Sequence, residues 1–277
     1  MTSNVLLRLT GCVLAAVAFS AAAEESHVEA RLVSDAGVIE SGRPFLLGVE
    51  LELESGWHVY WRNPGGAGLS TEVNFRLPAG FSVGELQWPI PVEFMQPGEI
   101  IGYGYEDRVV LAAEVTAPAG LRGSVTAELE VSWLACKDVC ILGSKTLTAE
   151  LPLHGAALEA SKTAIESWTD LMPKRGDHEA FDVSITGGPV PDSGPADLVV
   201  WLKWNEAPEG VEFFPDPGPG LKVEGVRVQT RGSLTRIDAT VSRLKTTDAQ
   251  EATLRALIVT RDNQGNRRAT VSRITID

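Results

Sequence analysis

Phe45-Leu46-Leu47-Gly48-Val49-Glu50-Leu51-Glu52-Leu53 decides the fold class. Its apolar residues recur at every second position, the period of a strand with one dry face, and Glu50 and Glu52 fall on the face left for water. Upstream, Val28-Glu29-Ala30-Arg31-Leu32-Val33 alternates in the same way. Downstream, Trp57-His58-Val59-Tyr60-Trp61 puts Trp57, Val59 and Trp61 on one side of a strand and His58 and Tyr60 on the other. Asn63-Pro64-Gly65-Gly66-Ala67-Gly68 then reads as a turn. Further strands are expected at Glu72 to Leu77, Val109 to Val115, Ser124 to Trp133 and Lys145 to Leu151. Short strands broken by frequent turns predict an antiparallel sandwich of immunoglobulin type.

The rhythm changes after that. Leu158, Ile165, Trp168 and Leu171 recur at helical spacing until Pro173 and Gly176 stop the run, so a connecting helix is expected over 156–176. Strand-like segments return at Phe181 to Ile185, Leu198 to Trp204, Val226 to Thr230, Leu234 to Val241 and Leu254 to Val259. Pro- and Gly-rich loops separate them, Phe213 to Gly220 among them. The fold class is therefore all-β: two immunoglobulin-like β-sandwich domains, 24–155 and 177–277, joined by a short helix. The second domain has no Cys, and His178 sits at its edge, so a spacer or docking role is expected there.

Before the first sandwich, Arg8, an apolar run from Leu9 to Phe19 and Ala21-Ala22-Ala23 form an export signal over 1–23. Leu9-Thr10-Gly11-Cys12 offers a competing lipid-anchor reading, but the apolar run follows Cys12 instead of preceding it. No later segment reaches the roughly 18 apolar residues of a membrane span. The chain of 277 residues carries a net charge of −13, which repels nucleic-acid phosphates and anionic lipid and otherwise serves solubility.

Once the signal is removed, the remaining cysteines are Cys136 and Cys140, in Trp133-Leu134-Ala135-Cys136-Lys137-Asp138-Val139-Cys140. An exported protein meets oxidising conditions that permit a disulfide between them. As a staple it would do little. Closing a loop of about five residues restricts the unfolded chain by about 2 kcal/mol, against about 4.7 for a 100-residue loop. That suits a bond meant to be made and broken, although the spacing alone leaves redox and structural roles open. Lys137 could lower a cysteine pKa and Asp138 could accept a proton, or both could be solvated turn residues. Two thiolates could also hold Cu(I), with Met95 adding a thioether. A closed zinc site needs about four ligands, and His27, His58, His154 and His178 stand at no ligand-like spacing from the pair.

Four motifs resemble one family in the right order: Gly56-Trp57-His58-Val59-Tyr60-Trp61-Arg62-Asn63-Pro64-Gly65, Leu86-Gln87-Trp88-Pro89-Ile90-Pro91, Gly102-Tyr103-Gly104-Tyr105, and the cysteine segment. Over Val28 to Leu153 they look like the periplasmic N-terminal domain of DsbD-type thiol:disulfide interchange proteins, and more closely the ScsB branch linked to copper tolerance. Glu212-Phe213-Phe214-Pro215 resembles the trailing half of the ScsB periplasmic region. The resemblance implies an immunoglobulin-like redox domain in the periplasm with no cofactor beyond the Cys136–Cys140 disulfide. Cys140 would form the mixed disulfide and Cys136 would resolve it. The implied partners are a membrane thiol-electron transporter and periplasmic thioredoxin-like proteins, making the domain one link in a protein-disulfide reductase relay. Copper(I) binding by the same cysteines is the alternative function. A cap loop over Val92 to Tyr105 would shield the pair, with Phe94, Tyr103 and Tyr105 as candidate shields and core packing as the other reading of each. Two departures stand out. Ile141-Leu142-Gly143 follows the second cysteine where many relatives have proline. The chain also ends at Asp277 without the membrane and thioredoxin-like domains of full-length DsbD, so electrons are expected from a separate protein.

Overall fold

A computed structural model describes residues 27–36, 38–121, 125–151, 159–173, 180–186, 190–191, 194–218, 220–244 and 252–276. The export signal, Cys12, His154 and His178 lie outside them. In chain order the strands of the first half are β1 (Val28–Ser34), β2 (Pro44–Leu53), β3 (His58–Gly65), β4 (Glu72–Arg76), β5 (Ser82–Val83), β6 (Val92–Gln96), β7 (Ile100–Glu106), β8 (Arg108–Thr116), β9 (Val125–Cys136) and β10 (Cys140–Leu151). Helix α1 (Glu159–Thr169) follows. The second half contains β11 (Phe181–Thr186), β12 (Pro195–Trp204), β13 (Gly210–Pro217), β14 (Leu221–Arg231), β15 (Leu234–Arg243), β16 (Ala252–Arg261) and β17 (Arg267–Ile276). The architecture is all-β, in sandwiches.

The first sandwich faces a four-stranded sheet, β1-β2-β8-β5, against a six-stranded one, β10-β9-β3-β7-β6 with β4 also on β9. The odd-numbered apolar residues of β2 enter the core as the alternation requires: Phe45, Leu47, Val49, Leu51 and Leu53 are all buried. They meet Trp57, Val59 and Trp61 from the facing sheet. The acids of β2 behave differently from each other. Glu52 is exposed, but Glu50 is 1% exposed and is paired with Arg31 and Arg108 from the neighbouring strands. An alternation pattern cannot reveal that two arginines flank one acid and let it leave water.

Helix α1 is more than a connector. Ala164, Ile165 and Trp168 pack on Val33, Val110 and Ala112, closing the outer face of the four-stranded sheet, while Leu171 stays exposed. The segment 63–68 also departs from expectation. Strand β3 runs on to Gly65, which pairs with Gly102 after a register shift beyond Tyr60, and the chain turns only later.

In the second sandwich, β11-β12-β15-β14 faces β13-β16-β17. The Phe213–Gly220 loop of the sequence reading is largely strand: Gly210–Pro217 pairs along β16. Because β13 is an edge strand, Pro215 and Pro217 can lack an N–H on its open side. The β13-β16-β17 sheet is dry on both faces. Phe213, Leu254, Ala256 and Ile258 enter the second core. Phe214, Leu257, Val259 and Ala269 enter the first. One sheet is thus a wall shared by both cores, and it joins the halves more tightly than a spacer would.

The Gly102-Tyr103-Gly104-Tyr105 motif is explained by β7 lying between two crowded sides. Tyr103 and Tyr105 point into the first core. On the other side, a Cβ on Gly104 would lie 2.0 Å from the Val59 carbonyl oxygen, and one on Gly102 would lie 2.3 Å from the Phe94 ring. Gly104→Ala is therefore expected to force β3 and β7 apart and to cost about 1–3 kcal/mol in urea denaturation. An unchanged midpoint would contradict that account of the motif.

Candidate functional site

The site is built on the outer face of the six-stranded sheet, opposite the core. Strands β9 and β10 form a hairpin whose final register pair is Cys136 and Cys140. Lys137 N–H donates to Val139 O at 3.0 Å and closes the turn. The sulfurs are bonded at 2.07 Å. They are not equivalent: Cys136 is 2% exposed, whereas Cys140 opens to solvent.

Strand β3 brings the neighbours. It pairs with β9 at His58↔Cys136 and Val59↔Ala135. Since Val59 goes to the core, His58 and Tyr60 must share the face that carries Cys136. The Tyr60 hydroxyl lies 3.3 Å from Cys136 Sγ and 3.0 Å from Gln96 Oε1, so its single proton has two acceptors in reach. Burial raises the Tyr60 pKa, which keeps the phenol a donor. Gln96 is oriented in turn by donating its amide to Ala67 O at 3.3 Å.

The stretch expected as a cap loop is the β6–β7 hairpin. Its Phe94 ring sits 4.0 Å from the His58 ring and 5.8 Å from that of Tyr60, on the sulfur-bearing face. Tyr103 and Tyr105 lie on the opposite face of the hairpin, in the core. Tyr103 contacts Phe214 edge-on, and the Tyr105 hydroxyl donates to Pro89 O at 2.9 Å. Of the three aromatics, the structure brings only Phe94 to the side of the pair. Met95 alternates with Phe94 and Gln96, points away from that side and is 66% exposed.

Lys137 is occupied elsewhere: its ammonium donates to Ser55 O at 3.1 Å in the turn between β2 and β3. Asp138 lies exposed in the cysteine turn. After Cys140, the run Ile141-Leu142-Gly143 continues the ladder opposite Ala135, Leu134 and Trp133. A Cβ at Gly143 would stand 2.5 Å from the Trp133 ring. Val139 and Leu142 remain 60% and 67% exposed, leaving an apolar margin beside the open sulfur.

Among the described residues, no three His, Cys, Asp or Glu side chains converge as metal ligands, and no helix is long and apolar enough to cross a membrane. The sequence reading passed over Tyr60, His58 and Gln96 as site residues. Tyr60 and His58 had a signal, since the Trp57–Trp61 alternation assigns them one face. Gln96 had none, because its place follows from hairpin pairing.

The site is thus a sandwich domain carrying a disulfide at the end of a hairpin, with one sulfur buried under a tyrosine and the other open. Residues 28–152 match the family described as thiol:disulfide interchange protein DsbD, N-terminal, and the match supports a DsbD-type N-terminal domain over that stretch. The fold is similar to the crystal structure of the N-terminal periplasmic domain of ScsB from Proteus mirabilis, with a TM-score of 0.67 and 20% identity, covering 91% of this chain and 94% of that one. That coverage takes in the second sandwich as well. No curated protein matches the chain.

His58 supplies a pH test of this geometry. Its Nε2 is buried without a hydrogen-bond partner, and burial lowers its pKa. The folded state therefore binds this proton less readily than the unfolded one. The stability associated with neutral His58 is intact above the unfolded value, about pH 6.5, and is lost as pH falls below it. Between about pH 7.5 and about pH 5, His58→Phe is expected to lose less melting temperature than the parent protein. Equal losses would place His58 outside the buried face.

Proposed function

We propose that the chain is a periplasmic thiol–disulfide exchange protein in which Cys140 exchanges with a partner and Cys136 resolves the mixed disulfide. The burial asymmetry of the two sulfurs carries this reading. A partner thiolate attacks Cys140 Sγ, the open sulfur, in line with the Cys136–Cys140 bond. That bond breaks, its electron pair leaves on Cys136, and a partner–Cys140 disulfide forms. A second thiolate of the partner then attacks its own sulfur in the mixed disulfide and releases Cys140. The partner ends oxidised and the pair reduced. In the reverse direction, the Cys140 thiolate attacks an oxidised partner, and Cys136 displaces the partner's thiolate from Cys140.

A thiolate on Cys136 would form where little water reaches. The Tyr60 hydroxyl is placed to donate to it, moving its proton from Gln96 to the sulfur as charge develops. Val139 and Leu142 supply apolar surface around Cys140 for docking. The match to the DsbD N-terminal family supports a membrane thiol transporter on one side and periplasmic thioredoxin-like proteins on the other as the partners. A copper(I) role finds less support, because Met95 points away from the sulfurs and no third ligand joins them among the described residues.

Single-cysteine variants test the assignment. Mixed with a disulfide-bonded thioredoxin-like protein, Cys136→Ser should accumulate a mixed disulfide on non-reducing gels, and Cys140→Ser should not. The opposite pattern would overturn the roles. In the intact pair, Tyr60→Phe should slow exchange about tenfold or more, the loss expected for one hydrogen bond to a charged group.

A further inference from the structure

The β6–β7 hairpin has two working faces. One carries Phe94 and Gln96 against His58 and Tyr60, beside buried Cys136. The other is gripped by the second sandwich. Arg267, the first residue of β17, donates from Nη2 to Pro91 O at 2.7 Å, immediately before β6 begins. The same Nη2 is paired with Glu212 on β13. The guanidinium stands 5.8 Å over the Phe214 ring, and that ring meets Tyr103 of β7 at 5.3 Å. Both strands of the hairpin are thus held from behind by the shared wall.

Within the sheet, among the described residues, β6 is an edge strand attached only through β7. Nothing else in the ladder fixes its distance from β3. The charge-assisted hydrogen bond at its root therefore adds a strong hold that the ladder with β7 does not supply.

We propose that Arg267, oriented by Glu212, is a positioning residue for the redox pair: the second sandwich uses it to hold the β6–β7 hairpin down over Cys136 through Phe94 and Gln96. The proposal rests on the reading of Cys136–Cys140 as the exchanging pair, and it deepens that reading by giving the second domain a part in the site. Glu93, on the gripped face of β6, is consistent with this arrangement. Its carboxyl is raised by burial and then by the neighbouring charge of Glu212, which sets Glu93 near the acid that orients Arg267.

The test reads access to Cys136 directly and needs no protein partner. In a Cys140→Ser background the full chain keeps one thiol of the pair, at a position that is 2% exposed in the folded protein. Its alkylation by iodoacetamide is followed to the high-pH plateau, where thiol acidity no longer enters. Adding Arg267→Ala should raise the plateau rate about tenfold, the change in open population expected from losing one charge-assisted hydrogen bond. Arg267→Lys, which can still reach one carbonyl, should restore most of the protection. With Phe94→Ala and Gln96→Ala also present, Arg267→Ala should add little, because the residues it acts through are gone.

An unchanged plateau, or the same increment with and without Phe94 and Gln96, would overturn the proposal. Intrinsic tryptophan fluorescence reports whether Arg267→Ala remains folded. If it does not, Glu212→Gln, which weakens the orientation of Arg267 while keeping its bond to Pro91, must show a smaller rise of the same kind, and its failure to do so counts equally against the idea. Since alkylation involves no exchange partner, a failed mixed-disulfide trap would sink the exchange reading and leave this result standing, and the reverse holds as well.

Discussion

The short pairing of β3 with β9 is the constraint on which the site depends. It spans His58↔Cys136 and Val59↔Ala135. Trp57, Val59 and Trp61 must be dry, and that need assigns every other residue of the strand to the opposite face. A slip of one residue would bury His58 and Tyr60 among aliphatic side chains and leave two tryptophans in water. The hydrophobic core therefore sets the chemistry on the far side of the sheet. Tyr60 reaches Cys136 because Trp61 cannot be anywhere but inside.

Much of this was legible in the sequence. Most strands of the first sandwich, the helical interruption and most strands of the second follow from period and punctuation, and the cysteine spacing marked the pair; β5, β6 and β7 did not, and the last two lie in the stretch expected as a loop. What escaped has identifiable physical causes. Strand β13 was hidden by Pro215 and Pro217, which exclude a central strand and are tolerated at an edge. Strand β17 carries Arg267, Arg268 and Arg273, whose charges blur the alternation. Glu50 read as a wet residue until Arg31 and Arg108 were brought beside it by β1 and β8. The aromatics of the cap segment could not be sorted by eye either. Only the register Phe94↔Gly102 tells which face of the hairpin each occupies.

The second sandwich gains meaning from its doubly buried sheet. Neighbouring residues Phe213 and Phe214 belong to different cores. Beside them, Asp216 is 5% exposed and lies 2.7 Å from Arg62 of β3 and 3.1 Å from Arg255. Burial pushes the Asp216 carboxyl up and the Arg62 guanidinium down, and their mutual attraction opposes both shifts. Asn63 adds a 2.7 Å bond to Pro215 O. Charges are costly to place in such a seam unless their partners are fixed, and here both cores fix them. The strand that bears Tyr60 is consequently anchored from the second domain just beyond the residues that face the sulfurs.

The disulfide itself joins residues that are already partners at the end of a ladder of 12 residue pairs. Opening it leaves the hairpin registered by the rest of the ladder, by the turn bond from Lys137 to Val139 and by the Lys137 contact with Ser55. In the proposed exchange, little of the backbone would have to rearrange when the bond opens or closes. The oxidised and reduced forms would then present nearly the same outline to whatever docks. A donor and an acceptor could be received by a single surface in turn, told apart by the state of two sulfurs and not by a change of shape.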